Sequence, residues 1–156
     1  MAKAGYMTST GANVALTTVA KTVLCVIAPA QFGIDLKKIR VSFDGVSAAG
    51  VPILVQLMTS TLATNSTPGT NNTTGTVTQV YGRTITAGFT SFYASTTEPT
   101  VLTEIDQWLL SPNGGTILYD YPLGDTPDTA VSNGLVLRMT PPAAVNCRAA
   151  MWFERC

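Results

Sequence analysis

Apolar and polar residues alternate along much of this chain, and the alternation predicts strands. Over residues 38–44 the period is two. Ile39, Val41 and Phe43 share one face, and Lys38, Arg40, Ser42 and Asp44 share the other. Residues 51–59 repeat the pattern with Ile53, Val55 and Leu57, and Pro52 sits at the strand start, where no ladder donor is needed. Residues 21–27 are rich in Val, Ile, Leu and Thr and end at Ala28-Pro29-Ala30, so they read as a strand followed by a turn. Residues 77–81 and 85–93 are further strand segments, the second with Phe89, Phe92 and Tyr93 as bulk. In residues 101–110, Leu102, Glu104, Asp106 and Trp108 alternate with Thr103, Ile105 and Gln107, which leaves the choice of face open. Pro112-Asn-Gly-Gly115 signals a turn, and residues 116–121 are expected to return as the partner strand.

The stretch that organises the rest is the last. Residues 134–140 and 144–154 read as two strands joined at a Pro141-Pro142 corner, closing the sheet built before them. At the other end, residues 1–18 are small and polar without a clear period. They read as an N-terminal arm or a weak edge strand, anchored by Tyr6 and Met7. Residues 59–76 hold fifteen Thr, Ser, Asn or Gly in eighteen positions and no charge, so they are expected to form a long exposed loop or a floppy hairpin tip. About eight short strands at regular spacing, without an amphipathic helix, predict an all-β, two-sheet antiparallel sandwich of jelly-roll type. Residues 19–156 are expected to form that single domain.

Composition narrows the function. With 156 residues and 46% hydrophobic positions, a core needs no metal or disulfide. Charged residues are 12% and the formal net charge is zero, which argues against nucleic acid as a partner and leaves little self-repulsion between copies. No run approaches the length of a membrane helix. The apolar run at residues 21–30 reads as a strand rather than as a signal-peptide core, because it is very short.

The chain has no histidine, which excludes Ser-His-Asp and Cys-His nucleophiles and His-based zinc sites. Cys25 and Cys147 lie in apolar runs and read as buried small hydrophobes, and Cys156 as an exposed thiol. The three fit a reducing compartment. Acidic residues are the remaining chemistry. Glu104 and Asp106, two apart on a strand, are expected to share one face, as a glycosidase pair would, although a solvated face is the plainer account. Asp125 and Asp128 in a Gly/Pro loop match no calcium-loop spacing and read as turn formers. Neither a catalytic set, a metal site nor a cofactor is expected. Trp108 and Tyr93 are the aromatic residues placed to stack on a glycan, and Trp152 is expected in the core or at an interface.

Five blocks carry a resemblance: Met1-Ala-Lys-Ala-Gly-Tyr-Met-Thr8, Lys21-Thr-Val-Leu-Cys-Val-Ile-Ala-Pro-Ala30, Val41-Ser-Phe-Asp-Gly45, Tyr121-Pro-Leu-Gly124, and Pro142-Ala-Ala-Val-Asn-Cys-Arg-Ala with Trp152-Phe-Glu154. As a set they resemble the capsid decoration, or cement, proteins of tailed bacteriophages. The resemblance implies a β-sandwich without catalysis. It would bind the outside of an icosahedral head, contact the major capsid protein and itself as a homotrimer, and be made in the host cytoplasm. Lys3, Tyr6 and Met7 are the expected capsid contacts. The alternative is a carbohydrate- or receptor-binding module of a phage tail or virion surface, using Trp108 and Tyr93.

Overall fold

The computed structural model describes residues 4–44, 50–61, 73–86, 88–99, 101–113 and 116–156. Among them lie thirteen strands and no helix. In chain order they are β1 (Gly5–Ser9), β2 (Val14–Leu16), β3 (Lys21–Ile27), β4 (Ile34–Phe43), β5 (Ile53–Ser60), β6 (Thr73–Gly75) and β7 (Val77–Tyr81). They continue as β8 (Thr90–Tyr93), β9 (Leu102–Leu110), β10 (Thr116–Asp120), β11 (Asp128–Thr129), β12 (Gly134–Thr140) and β13 (Val145–Arg155). The first sheet runs β10-β4-β13-β1-β7, with β11 beside β4 and β2 beside β13. The second runs β6-β8-β3-β12-β5-β9. The ladders within both sheets are antiparallel. The all-β sandwich expected from the alternation is therefore present, with more strands than the eight expected.

The closing stretch holds the centre of both sheets. β12 lies between β3 and β5, and β13 lies between β4 and β1. The Pro141-Pro142 corner does not join a hairpin; it carries the chain from one sheet to the other. A proline there removes a donor where no ladder continues. The two central strands supply Leu135, Leu137, Met139, Met151 and Phe153, each at most 1% exposed. They meet Leu24 and Leu57 of the second sheet and Ile39 and Val41 of the first in one continuous core. A second buried row, Cys25, Val136 and Met58, crosses β3, β12 and β5 on the opposite face of the second sheet.

Several expectations need correction. Residues 4–9 are neither an arm nor an edge strand. β1 is an interior strand, paired to β13 on one side and to β7 on the other. Its small polar residues hid this, yet Tyr6 and Thr8 fill the core side, and Thr8 Oγ1 bonds Ser91 Oγ at 2.6 Å across the sandwich. β10 does not return as the partner of β9. The two lie in different sheets, β10 on β4 and β9 on β5, so the Pro112 turn is a crossover. Among the described residues of 85–93, strand pairing is confined to Thr90–Tyr93. The expected polar loop is trimmed at both ends, because β5 extends to Ser60 and β6 begins at Thr73. Residues 62–72 of it lie outside the described residues, as do Lys3 and the Gly114-Gly115 pair.

Two bulges set which side chains face out. In β4, Trp152 of β13 pairs with Lys38 and Phe153 pairs with Leu36, so Lys37 is the extra residue. The adjacent pair Lys37-Lys38 in the sequence is the trace of that bulge. In β9, Leu57 of β5 pairs with Asp106 and Met58 pairs with Glu104, so Ile105 is extra. This bulge is why residues 101–110 show no consistent face.

Candidate functional site

The outer face of the first sheet is one candidate surface. Register places Asp120, Lys38, Trp152, Met7 and Thr78 in a single row across β10, β4, β13, β1 and β7. The next rows bring Leu118, Arg40, Ala150 and Ser9, then Thr116, Ser42 and Arg148. Trp152 is half-buried in this face. The Arg40 guanidinium lies 5.3 Å from its ring centre and the Lys38 ammonium 6.0 Å. Such cation–π contacts hold the indole and keep positive charge beside it. Lys38 also pairs with Asp120 at 2.9 Å, and Arg148 Nε donates to Asn13 Oδ1 at 2.6 Å. At the end of the face, Tyr81 covers Gly5, where a Cβ would meet the Tyr81 ring at 2.1 Å. Tyr81 Oη donates to Glu154, which lies 3.7 Å from Lys37. Burial first, then the Glu154 hydrogen bond and the nearby carboxylate charges, push Tyr81 up to about 12.

The second surface is the open side of the sandwich, where β9 and β10 are the facing edges of the two sheets. Asp106, Trp108 and Leu110 point from β9 toward the other sheet, as their partners Leu57, Val55 and Ile53 do. Ile117 and Tyr119 point back from β10, opposite Val41 and Ile39. These residues with Leu109 line a cleft of about 210 Å3. The cleft is apolar but unclosed. Tyr119, an inward-facing residue, is 46% exposed. Trp108 Nε1 and Tyr121 Oη are buried and have no hydrogen-bond partner among the described residues. Tyr121 packs edge-on to Tyr119 at 4.7 Å, and burial, then the charge of Asp106, raises its pKa well above the usual phenol range. On the strands that flank the cleft, Ile105 of β9 and the outward-facing Leu118 of β10 are 40% and 52% exposed.

The residues singled out from the sequence are scattered by this geometry. Tyr6 is core: 4% exposed, edge-on to Phe89 at 5.2 Å, stacked on Phe153 at 6.0 Å, and donating through Oη to the Ile85 carbonyl at 3.0 Å. It cannot meet a partner while β1 is paired. Met7, one residue on, faces outward beside Trp152. Trp108 and Tyr93 form no joint platform, because β3, β12 and β5 lie between β8 and β9. Tyr93 instead lines a groove of about 190 Å3 with Met7, Ser9, Thr76 and Thr78. Glu104 and Asp106 do not share a face either. The Ile105 bulge turns Glu104 outward onto Gln56 and Asp106 toward Tyr121. Among the described residues no three His, Cys, Asp or Glu cluster to hold a metal, and no helix is long and apolar enough to cross a membrane.

Sequence reasoning missed Arg40, Arg148 and Tyr119. The alternation Lys38-Ile-Arg40 did place two cations on the solvent side, but their meeting with Trp152 depends on the β4–β13 register. Comparison with family models, with curated proteins and with solved structures finds no match to this chain.

Proposed function

We propose that this chain is a non-enzymatic structural protein of a phage virion. It decorates the outer surface of an icosahedral head, stabilises it as a homotrimer, and contacts the major capsid protein. The virion assignment rests on the five sequence blocks that resemble decoration proteins. The observation that carries a contact function is the outer face of the first sheet. A five-strand surface presents a half-buried Trp152 with Arg40 and Lys38 against its ring and Met7 on its other side. Trp, Arg and Met are the side chains enriched at protein interfaces, and Trp and Arg carry much of the energy where interfaces form. Met7 remains a contact residue in this reading, and Tyr6 supports it from beneath.

Co-sedimentation of the purified chain with assembled heads tests the reading. Wild type is expected to pellet with heads to a saturating stoichiometry. Trp152→Ala should reduce the affinity by ~10-fold or more, as loss of an interface anchor does. A wild-type chain that stays in the supernatant at all ratios overturns the reading.

A further inference from the structure

We infer that the outer face of the first sheet recognises a carboxylate-bearing protein surface, and that Arg40 and Arg148 are the side chains that meet its Asp and Glu groups. This rests on the reading above for the identity of the partner and names the chemistry that partner presents.

The two arginines are neighbours by register. Arg40 of β4 pairs with Ala150 of β13, and Ser42 pairs with Arg148. The four form one cell of the ladder, with the arginines at diagonal corners and the small Ala150 and Ser42 at the others. Diagonal residues of an antiparallel pair stand roughly 7–8 Å apart, within reach of long side chains. The intervening Val41 and Ala149 belong to the core, which puts all four corners on the outer side. Both arginines are exposed.

Neither is neutralised within the chain. Lys37 lies against Asp35 and Glu154, Lys38 against Asp120, and Arg138 against Glu98. Among the described residues, Arg40 and Arg148 have no carboxylate within ion-pair distance. Each is held by a neutral group instead. Arg40 lies 5.3 Å from the centre of the Trp152 ring, and Arg148 Nε donates to Asn13 Oδ1 at 2.6 Å. A ring and one amide oxygen fix these side chains but leave most of their N–H donors open. The acids on this face are engaged elsewhere. Asp120 pairs with Lys38, and both oxygens of Asp44 accept from Asn146, one from its backbone N–H and one from its side-chain amide.

Like charges so placed repel each other. Carboxylates of a partner would remove that repulsion and add charge-assisted hydrogen bonds. Phosphates would neutralise the same cations, yet a nucleic-acid site commonly engages about 6–10 of them, and the chain has a net charge of zero. Trp152 and Met7 beside the arginines are side chains of protein interfaces. The combination selects carboxylates carried on a protein.

The test is co-sedimentation of the full chain with assembled heads across a salt series. Wild-type affinity is expected to fall as salt rises. Arg40→Gln and Arg148→Gln should each weaken binding ~10-fold at low salt and flatten the salt dependence. A merely loosened Trp152 would lower affinity at every salt alike. Arg83→Gln removes the same charge just beyond β7 and should change affinity less than ~2-fold. All three positions are exposed, so the variants are expected to keep the wild-type circular dichroism.

A second arm needs no heads. A Glu-rich peptide titrated into the isotope-labelled chain should shift the Nε–H signals of Arg40 and Arg148 and leave that of Arg138, which faces Glu98 on the second sheet. Head binding that both Arg changes leave untouched overturns the inference alone. Peptide shifts at the two arginines without head binding by wild type support the inference and overturn the decoration reading. Neither shifts nor head binding overturns both. Tighter binding of an oligonucleotide or of anionic lipid vesicles than of the peptide overturns the choice of carboxylates.

Discussion

Replacing Tyr6 by Ala separates an N-terminal arm from an interior strand. On an arm, the change would alter stability by no more than about 0.5 kcal/mol, as surface substitutions do. In this structure Tyr6 is 4% exposed and closes an aromatic set with Phe89 and Phe153, whose own rings meet edge-on at 5.1 Å. Truncating a buried aromatic of this kind costs about 3–5 kcal/mol, covering lost transfer energy, ring contacts and the cavity left. For a domain of this length that lowers Tm by roughly 6–20 °C. Tyr6→Phe keeps the ring and removes the bond to the Ile85 carbonyl, so it should cost about 0.5–1.5 kcal/mol. Urea unfolding of the three proteins measures both differences, and the m-value should stay constant because the exposed area on unfolding barely changes. If Tyr6→Ala unfolds within about 0.5 kcal/mol of wild type, β1 is not part of the cooperative core and its place between β13 and β7 is wrong. The same reasoning makes deletion of residues 1–9 a structural lesion, since it strips a strand from between β13 and β7.

Two further outcomes follow from burial. Cys25 and Cys147 are buried and their thiols are pushed up to about 12, mainly by desolvation, whereas Cys156 is exposed. A thiol reagent at mildly alkaline pH should therefore label one cysteine of the native chain quickly and the other two only on unfolding; three fast thiols would contradict the packing. Tyr81 has a folded pKa raised from 10.0 to about 12, so its contribution to stability is complete below pH 10 and is lost as pH rises toward 12. Phenolate absorbance should show a late step that disappears in Tyr81→Phe and moves to lower pH in Glu154→Gln, and a Tyr81 that titrates at the ordinary value would refute the Glu154 contact.

Much of the fold was legible because strands with one face on the core must alternate. Ile39, Val41 and Phe43 are buried as the period demanded, as are Ile53, Val55 and Leu57. The closing stretch was legible because a long apolar run around two prolines has few other uses, although its role at the centre of both sheets depends on pairing that no local pattern encodes. β1 was missed for a physical reason. Thr8 is buried with its hydroxyl satisfied by Ser91, so a polar residue sits where the pattern asks for an apolar one. The face of residues 101–110 was unreadable because one inserted residue, Ile105, flips the parity halfway along β9. The two candidate surfaces were only partly visible. Trp152 and Trp108 stand out in any composition, but what surrounds them is set by register: Arg40 and Lys38 come from β4, and Tyr119 comes across the sandwich from β10.

In the proposed role the chain lays the outer face of its first sheet on a phage head. Electron cryomicroscopy of heads saturated with the purified chain tests it most directly. Density is expected on the outer surface with Trp152, Arg40 and Met7 at the shell. Heads without added density, or a chain bound through its second sheet with Trp152 facing solvent, would contradict it.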